Sequence, residues 1–560
     1  MSEILAGAQM RAVEQAAIAS GAVSGLELME RAGQGVVEAI LAHWPDEGPR
    51  RAVVLCGPGN NGGDGFVIAR LLHLKGWRVR VLAATRPGQM PPDAALNARR
   101  WWAFGPVEAL TERNLRREEA EIFVDAIFGI GLSRPPEGEI RTVLTHLGGR
   151  NGDIYWPQIV AVDVPSGLCA DSGRSLAPQL HGMPPRVALT VTFDSPKPGH
   201  FLGLGPGICG RLQVVDIGVA PWRQMPDPKP RKSGGGAAWI GARRLAMLGQ
   251  VTPASEPVLV SAPPGSFAPS ALSKAGWVAA DQTHKFTFGH ALVLAGGPGR
   301  GGAARLSARA ALRVGAGLVT LAPPPDALAE NAARLDEVML HPLPDAGALT
   351  GLLSDRRIRA LCLGPGLGTG AREAALVTAA LDWAPPGEGY AVTGGLMLDA
   401  DALTILAGRT GLARTLPPRC ILTPHGGEFA RLFPDIAAKL AADPGSGPAY
   451  SKLDAAREAA ARAGCVVLLK GPDTVIADQT GRAAIHSASG ARAAPWLATA
   501  GSGDVLAGLI TGLLARGQQP FQAACIAAWL HVESALSFGP GLIAGDLIGE
   551  LPRVMRRLGL

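Results

Sequence analysis

Short apolar runs alternate with amphipathic segments along most of this chain. The runs at 52–56, 121–129 and 290–295 have the length and apolar content of buried strands. Between such runs, as at 8–18 and 303–314, apolar residues recur at the spacing of one helical face. Strands that alternate with helices form parallel sheets covered by helices, so the pattern predicts an α/β protein.

The first half opens with two helices, which the pattern predicts over 4–43. A strand at 52–56, a glycine loop at 57–65 and a helix that is periodic from Phe66 follow. Further strands are expected at 78–86, 121–129 and 159–167, and two more within 186–219 on either side of the loop 195–199.

The best linker candidate is the segment 222–236, which is rich in proline, glycine and charge. We therefore expect a first domain over 1–222, a linker over 223–236 and a second domain over 237–560. In the second domain, strands are expected at 290–295, 318–321, 360–363, 397–403, 420–423 and 465–469, helices at 303–314 and 505–515, and a short hairpin after 470–474.

Composition excludes several classes of protein. The chain has 560 residues, of which 47% are hydrophobic, which suffices for two or more domains with large cores. The formal charge of +6 is small for this length and no long basic run occurs, so nucleic acid is not an expected partner. No apolar run reaches 18 residues and the N-terminus has no apolar signal region, so we expect a cytoplasmic protein without a membrane partner.

The cysteines indicate a reducing compartment. The chain has seven of them, none in a CxxC pair and most within apolar runs. Free, buried thiols are therefore expected at Cys56, Cys169, Cys209, Cys362, Cys420, Cys465 and Cys525.

The glycine loop 57–65, between a strand and a helix, predicts a cradle for phosphate or a dinucleotide. Glycines allow positive φ and let backbone N–H groups converge, and the helix N-terminus adds a positive dipole end. Gly57, Gly59 and Gly62 satisfy GxGxxG, but the strand 78–86 lacks the acid that a nicotinamide dehydrogenase uses. A tight hairpin turn is the alternative, and the helical pattern after the loop argues against it.

Two later strands of this half end in carboxylates, Asp125 and Asp163. The carboxyl ends of parallel strands open on one crevice, so both residues are expected to face the glycine loop. Each carboxylate alone is equally typical of a helix cap or a turn. Asn61, Asp125 and Ser166 offer only oxygen ligands, which suits a hard, weakly held monovalent cation.

The second half also carries residues that suit phosphate chemistry. Asp504 follows Gly501 and Gly503 at the start of an apolar helix, which is typical of an anion site but also of an ordinary N-cap. His425 and Lys470 each follow a strand. A capping or buried turn histidine and a solvated turn lysine are the alternatives for these two residues.

The motifs together resemble a known pair of families. The first half resembles the NAD(P)H-hydrate epimerases in the stretches 9–33, 57–65, 125–131, 163–167, 190–193 and 197–200. The second half resembles the ADP-dependent NAD(P)H-hydrate dehydratases, which are ribokinase-like, in 301–319, 364–368, 399–403, 423–428, 470–471 and 501–504. This is the order of the bifunctional repair enzymes.

The resemblance implies a Rossmann-like, three-layer epimerase domain followed by a ribokinase-like α/β dehydratase domain. The first would interconvert the R and S epimers of hydrated NADH and NADPH. The second would dehydrate the S epimer while converting ADP to AMP and phosphate. Potassium and ADP are implied, magnesium is a further candidate cofactor, and a homo-oligomer is expected.

The resemblance also implies roles for individual residues. Asp125 and Asp504 would be the catalytic groups, and Asn61, Asp125 and Ser166 would hold potassium. Substrate would contact Asn60, Asn61, Gly62, Gly63, Asp64, Gly129, Ile130, Gly131, Leu132, Ser133, Arg134, Pro135 and Asp163 in the first domain, and Ala303, Gly366, Gly368, His425 and Asp504 in the second. The adenine nucleotide would contact Lys470, Gly471, Pro472, Asp473, Thr474 and Gly503.

Two rival functions remain open at this point. A ribokinase-like kinase of a vitamin alcohol would share the segment 501–504, although it would not need an epimerase-like domain. A non-catalytic nucleotide-binding protein would keep the glycine loops and lose the acids, whereas Asp125, Asp163 and Asp504 are present. One departure from the family is Arg86, where some members have lysine; arginine is not a general acid at neutral pH.

Overall fold

The computed structural model describes residues 3–45, 50–116, 120–149, 158–177, 184–224, 245–247, 284–385, 394–408 and 416–560. The chain forms two compact units. The first comprises Ser2–Arg244 with Ala442–Lys452, and the second comprises Leu245–Ala441 with Leu453–Leu560. From position 225 onward, the predicted linker 223–236 lies outside the described residues.

The first unit is built from short strands and helices in alternation. Its strands are β1 Glu3–Ile4, β2 Arg51–Cys56, β3 Arg78–Ala83, β4 Val107–Ala109, β5 Ile122–Ala126, β6 Gln158–Val162, β7 Leu189–Phe193 and β8 Arg211–Val215. Its helices are α1 Gly7–Ala19, α2 Gly25–His43, α3 Asn60–Leu74, α4 Pro92–Trp101, α5 Glu112–Leu115, α6 Gly138–Gly148 and α7 Gly205–Ile208.

The sheet of the first unit is parallel and is covered on both faces. Its strand order is β4-β3-β2-β5-β6-β7-β8, and each neighbouring pair is parallel. Alternate residues of β2 face opposite sides: Val54 packs with α2 and α3, and Val53 packs with α6. This is the predicted three-layer arrangement.

The strand order reverses between β2 and β5. In open parallel sheets, ligands bind at such a reversal, outside the carboxyl ends of the strands. The glycine loop leaves the carboxyl end of β2, and Asp125 lies in β5 one residue before its end. The topology therefore places the predicted epimerase residues at this crevice.

Eleven residues from late in the chain belong to the first unit. In this segment, Gly447 N–H donates to the Ser133 carbonyl at 2.9 Å. Ala449 is buried against Cys169 and Leu176. The segment therefore contacts the loop 129–135 of the predicted substrate site.

The second unit has a longer list of elements. Its strands are β9 Leu245–Met247, β10 His290–Leu294, β11 Leu318–Ala322, β12 Met339–Leu340, β13 Ile358–Leu363, β14 Gly395–Leu398, β15 Cys420–Leu422, β16 Val466–Leu469, β17 Asp473–Ala477 and β18 Ala483–Ser487. Its helices are α8 Gly301–Arg313, α9 Leu328–Ala332, α10 Ala346–Leu352, α11 Ala371–Asp382, α12 Ala400–Ala407, α13 Gly426–Leu432, α14 Pro434–Ala441, α15 Lys452–Ala463, α16 Ser502–Ala515, α17 Pro520–Phe538 and α18 Ala544–Arg557.

The sheet of the second unit is parallel at its centre and ends in an antiparallel hairpin. Neighbouring strands follow the order β9-β18-β17-β16-β15-β14-β13-β10-β11-β12. The pairs from β12 to β16 are parallel, whereas β16, β17 and β18 pair antiparallel, as the predicted hairpin requires. Here the strand order reverses between β10 and β13.

Helix α16 occupies the core of the second unit. Every residue from Val505 to Ala515 is buried, which explains the uniformly apolar sequence of this helix. It crosses α8 so closely that a Cβ at Gly508 would lie 2.2 Å from the Ser307 carbonyl oxygen. Small residues at the crossing bring the two helix N-termini together.

Three sequence predictions need correction. The strand predicted over 397–403 ends at Leu398, and α12 begins at Ala400, because Asp399 takes the extended N-cap position of a short alanine-rich helix. Helix α3 starts at Asn60, so much of the predicted loop 57–65 is helical. The hairpin alternative for that loop is wrong for the same reason. The remaining strands agree within a few residues.

Candidate active sites

The glycine loop of the first unit is shaped by close packing. A Cβ at Gly57 would lie 1.9 Å from the Ile127 carbonyl oxygen, and one at Gly62 would lie 2.0 Å from the Gly57 carbonyl oxygen. None of the glycines in the described loop 57–65 has a positive φ, so the expectation of left-handed backbone there is wrong. No side chain caps α3, whose first amides therefore stay available to a ligand.

Asp163 anchors the substrate loop predicted at 129–135. It follows β6 with a positive φ of 69°. Its Oδ2 accepts the Ile130 N–H at 3.0 Å, and its Oδ1 accepts the Thr192 hydroxyl at 2.8 Å and lies 3.0 Å from Lys197 Nζ. Burial opposes ionisation of Asp163, but the Lys197 ammonium and the Thr192 hydroxyl outweigh burial and hold its pKa below the usual value.

Lys197 is a site residue that the sequence prediction missed. Only 1% exposed, it donates to Thr192 Oγ1, the Phe193 carbonyl and the Ser195 carbonyl at 2.8, 3.0 and 2.9 Å. The stretch 197–200 belongs to the epimerase-like motifs, which was the available signal, but nothing in the sequence linked it to Asp163.

Asp125 and Ser166 form a tight, fully buried pair. Ser166 Oγ donates to Asp125 Oδ1 at 2.7 Å, and Ser166 N–H donates to Oδ2 at 2.9 Å. Burial raises the pKa of Asp125 in spite of these hydrogen bonds. Asp125 has no ion-pair partner among the described residues.

Asn61, the third predicted potassium ligand, lies at the Gly129 turn. A Cβ at Gly129 would lie 3.0 Å from Asn61 Oδ1 and 2.8 Å from Asp163 Oδ2, so both oxygens converge there. Asn61 Nδ2 is buried without a hydrogen-bond partner in the described part of the chain. The structure thus brings Asp125 and Ser166 into contact, and places Asn61 beside Asp163.

Further predicted substrate residues surround this turn. Asn60 is exposed at the start of α3, and Gly62 and Gly63 are buried. In the loop 129–135, Gly131, Ser133 and Arg134 are exposed, and Gly129, Ile130, Leu132 and Pro135 are half-buried.

Two further carboxyl groups of this site have raised pKa values. Burial, followed by the charges of Asp163 and Glu14, raises the pKa of Asp64. Glu14, which the sequence prediction did not include, has its pKa raised to about 7, mainly by burial and then by Asp163. The glycine loop and Asp163 therefore share a site that disfavours additional negative charge.

In the second unit, Asp504 lies in the first turn of α16. Gly501 is the N-cap, with a φ of 88° that favours glycine, and no side chain caps the helix. Gly501 thus takes the N-cap position, as the alternative of an ordinary N-cap requires, and the anion site at Asp504 stays a prediction. Burial and then the charge of Asp399 raise the pKa of Asp504 to about 6, while Lys470 opposes the shift.

Lys470 lies within a cluster of acids. Its Nζ is 2.8 Å from Asp399 Oδ1 and 3.8 Å from Glu428 Oε2. A Cβ at Gly503 would lie 3.6 Å from Lys470 Nζ and 3.8 Å from Asp399 Oδ2. The solvated-lysine alternative is wrong, since Lys470 is held beside the α16 N-terminus. Asp399 belonged to a recognised motif, but no role was predicted for it.

His425 serves as the N-cap of α13. Its Nδ1 accepts the Gly427 N–H at 3.0 Å, so the neutral ring carries its proton on Nε2. Glu428 completes the cap by accepting the His425 N–H at 2.9 Å. The capping alternative is right for this residue, and its ring still faces the cavity described next.

Most of the predicted nucleotide residues line one cavity of about 780 Å³. Lys470, Gly471, Pro472, Thr474 and Gly503 line it, together with the predicted substrate residue His425. Asp473 and Asp504 do not line it, although each is next to a residue that does. His486 and His531 also line it, and neither was predicted.

The remaining predicted substrate residues of this unit lie close to one another. Gly366 and Gly368 have positive φ values of 63° and 97°. A Cβ at Gly366 would lie 3.3 Å from Ala303 Cβ, and Gly368 N–H donates to Asp401 Oδ2 at 2.8 Å. Ala303 lies in the first turn of α8, whose Ser307 donates to the Asp504 carbonyl at 2.8 Å. These glycines are thus linked to Asp504 through α8.

The part of the chain that the structure describes shows no membrane element: none of its helices is both long and apolar enough to cross a bilayer. All seven cysteines are buried and free, as predicted.

Comparisons with known proteins match both halves. Residues 291–543 match the family described as NAD(P)H-hydrate dehydratase, and residues 25–199 match the YjeF-related protein N-terminus. A solved ADP/ATP-dependent NAD(P)H-hydrate dehydratase from Bacillus subtilis, co-crystallized with ATP/Mg2+, is 29% identical and covers 50% of this chain and 92% of its own, with a TM-score of 0.39.

Curated relatives extend over nearly the full length. The bifunctional NAD(P)H-hydrate repair enzyme Nnr of Moorella thermoacetica is 34% identical, over 99% of this chain and 97% of that protein. The Nnr of Salinibacter ruber is also 34% identical, over 98% of this chain and 96% of that protein. With both halves matched in the same order, the chain belongs to the family of bifunctional NAD(P)H-hydrate repair enzymes.

Proposed function

We propose that the first unit interconverts the R and S epimers of hydrated NADH and NADPH, and that the second dehydrates the S epimer with ADP. The observation that carries the proposal is the position of Asp504 at a helix N-terminus without a side-chain cap, near the Lys470–Asp399 ion pair and beside a nucleotide-sized cavity. A vitamin-alcohol kinase is not favoured, because the full-length relatives are named as repair enzymes.

In the second unit, Asp504 acts as general base. It takes the proton of the substrate hydroxyl while the hydroxyl oxygen attacks the β-phosphorus of ADP, and AMP leaves. Loss of phosphate, with a proton from the neighbouring ring carbon, then restores the double bond of the nicotinamide. The amides at the start of α16 and the Lys470 ammonium stabilise the negative charge of the transferred phosphoryl group.

In the first unit, Asp125 is the proposed acid/base group and the glycine loop holds the substrate. Epimerisation at the hydrated carbon requires proton transfer at a fixed position, whether the ring opens or water exchanges. Burial raises the pKa of Asp125, which makes this carboxylate more basic than an exposed aspartate. Asp163 stays ionised and holds the loop 129–135 through the Ile130 amide.

Potassium is proposed at Asp125 and Ser166, with Asn61 completing the set. The donors are all oxygen, which suits a hard cation. A buried carboxylate without an ionic partner in the described residues is the electrostatic situation that a cation relieves. A bound potassium ion would supply charge neutralisation, and it would lower the pKa of Asp125.

Magnesium is proposed to accompany the ADP phosphates. The described residues contain no group of three or more His, Cys, Asp or Glu that would hold a metal by themselves. Mg²⁺ commonly binds through one or two carboxylates together with phosphates and water. Asp399 and Glu428 are the carboxylates at the Lys470 end of the cavity.

The test supplies purified protein with ADP and follows recovery of NADH absorbance from each hydrate epimer. We expect recovery from both epimers, with phosphate release. Asp504→Asn should lose recovery from both, because dehydration follows epimerisation. Asp125→Asn should lose recovery from the R epimer alone.

Two results would contradict the proposal. Recovery from the S epimer alone by the unmodified protein would remove the epimerase assignment. Absence of recovery from either epimer, together with ATP turnover on an alcohol, would support the kinase instead.

A further inference from the structure

Besides His425, which was predicted to contact substrate, two histidines line the cavity of the second unit, and the proposed mechanism gives them no role. His486 is 1% exposed and His531 is 8% exposed. They reach the cavity from different elements, His486 from β18 and His531 from α17. Because both are buried beside the residues proposed to hold ADP, their hydrogen-bonding state bears on how the nucleotide is recognised.

His531 already has a partner, whereas His486 retains an unpaired ring nitrogen. His531 Nε2 lies 2.9 Å from the Ser502 carbonyl oxygen in the first turn of α16. His486 Nε2 is buried and has no hydrogen-bond partner among the described residues. A buried polar atom without a partner is destabilising, so a ligand atom that pairs with it gains that interaction.

The position of His486 associates it with the nucleoside part of the ligand. His486 pairs across the hairpin with Thr474, the last residue of the proposed nucleotide segment 470–474. Lys470, at the other end of this segment, is paired with Asp399 beside the α16 N-terminus, where phosphate chemistry is proposed. His486 thus lies on β18, two strands across the sheet from β16, at whose end Lys470 lies.

His486 supplies no positive charge to a phosphate group. Burial, and then the charges of Arg492 and His531, lower its pKa to about 3, so the ring is neutral at neutral pH. A neutral imidazole has one donor and one acceptor nitrogen. The neighbouring Arg492 forms an ion pair with Glu533 at 2.5 Å, so its positive charge is balanced by that carboxylate.

The wall around His486 suits a flat aromatic ligand. Pro472, Ala488, Ala494, Pro495 and Val532 line the same cavity, and they present apolar surface without charge. Apolar walls with a few placed polar groups are the usual form of a site for a heterocyclic base. We propose that His486 is a specificity-determining residue, whose Nε2 hydrogen-bonds the base of the nucleotide and selects adenine. This rests on the proposed use of ADP.

The experiment measures binding by calorimetry on the full chain, without hydrate. The ligands are ADP, GDP, UDP and inorganic pyrophosphate. Unmodified protein should prefer ADP over GDP and UDP. His486→Phe should weaken ADP binding about tenfold and leave pyrophosphate unchanged, since one hydrogen bond to a buried group is lost. His486→Gln, which keeps a donor and an acceptor, should retain part of the preference.

His290→Phe is the matched control. His290 is a buried β-strand histidine whose Nε2 pairs with Thr320 Oγ1 at 2.8 Å, and it does not line the cavity. This variant should bind ADP as the unmodified protein does. Circular dichroism establishes that each variant is folded, and His486→Gln carries the test if His486→Phe does not fold.

Three results overturn the proposal: equal affinity of the unmodified protein for the three diphosphates, unchanged ADP affinity in both His486 variants, or equal losses for ADP, GDP and UDP. Failure of the proposed function is a separate outcome. It would appear as no recovery of NADH from either hydrate while the preference for ADP, and its dependence on His486, remain.

Discussion

The ionisation of Asp504 depends on three neighbouring side chains. Asp399 and Asp401 raise its pKa and Lys470 lowers it, in addition to the effect of burial. A pKa of about 6 lets Asp504 be a carboxylate at neutral pH while keeping it basic enough to accept a proton. The surrounding charges therefore set the pH range of the second site.

The pH dependence of dehydration tests this arrangement. A base must be deprotonated, so kcat/KM for the S epimer should rise with pH through about 6. Asp399→Asn removes a like charge, which lowers the pKa of Asp504 and should move the acid limb to lower pH. Steady-state rates measured over a pH series give the pH at which this acid limb falls.

The control for this prediction is Asp382→Asn, at the exposed end of α11, which should leave the limb in place. A uniform loss of rate in Asp399→Asn, with no movement of the limb, would contradict the electrostatic account.

At the residue scale, the sequence identified the acids and missed their partners. Asp125, Asp163 and Asp504 follow strands or glycines in recognisable patterns. Lys470 and Asp399 are 71 residues apart, and their contact depends on the order of strands in the sheet. Lys197 was missed for the same reason, because its contact with Asp163 depends on the pairing of β6 with β7. His486 was missed because the cavity that it lines is completed by α17, far along the chain.

At the element scale, the crossing of α8 and α16 controls the second site. The two helices meet at Gly508 and Ser307, and Gly512 lies where a Cβ would come within 2.5 Å of the Ala311 carbonyl oxygen. The crossing places Ala303 near the α16 N-terminus through the bond from Ser307 to the Asp504 carbonyl. Glycine is required here by helix proximity, since both positions have ordinary helical backbone.

A pair of glycine substitutions tests the crossing. Gly508→Ala should destabilise the second unit by about 1–3 kcal/mol, because its methyl group would overlap backbone. Gly549→Ala, in α18 with open space around it, should stabilise by about 0.5–1 kcal/mol. Thermal unfolding with and without ADP identifies the transition of the second unit. A neutral Gly508→Ala variant would contradict the close crossing.

The element pattern was largely predictable, and its errors have physical causes. Apolar runs located the strands, since burial on both faces of a parallel sheet requires them. In the misassigned segment 397–403, apolar residues continue after the strand ends. The sequence therefore did not show that Asp399 separates strand β14 from helix α12. The glycine loop was expected to need positive φ. Instead, Gly57 is required because a side chain there would overlap the backbone of Ile127.

At the scale of the whole molecule, each unit carries its own candidate site, and the sheet of each unit contains a reversal of strand order. The reversals lie between β2 and β5 in one unit and between β10 and β13 in the other. The proposed potassium ligands all belong to the first unit, and the proposed nucleotide residues all belong to the second. The two activities should therefore respond separately to ions.

Ion exchange tests this separation. Replacing potassium with tetramethylammonium at equal ionic strength should reduce recovery of NADH from the R epimer and leave recovery from the S epimer unchanged. Ser166→Ala should raise the potassium concentration needed for half-maximal epimerisation, because one oxygen donor is lost. Ser172→Ala, at another buried serine of the same unit, should not. Equal sensitivity of both epimers would contradict the assignment.

The late segment Ala442–Lys452 has a consequence for the making of the protein. Gly447 supports the Ser133 end of the substrate loop, yet it is synthesised long after the strands that carry that loop. At about 5–20 residues per second, the ~230 residues between 224 and 452 take roughly 10–45 s to translate. During that interval the nascent first unit lacks the cover of Cys169 and Leu176 that Ala449 provides. Premature termination between the two halves would therefore release a first unit that is complete in its sheet and unfinished at the loop 129–135, its proposed substrate loop.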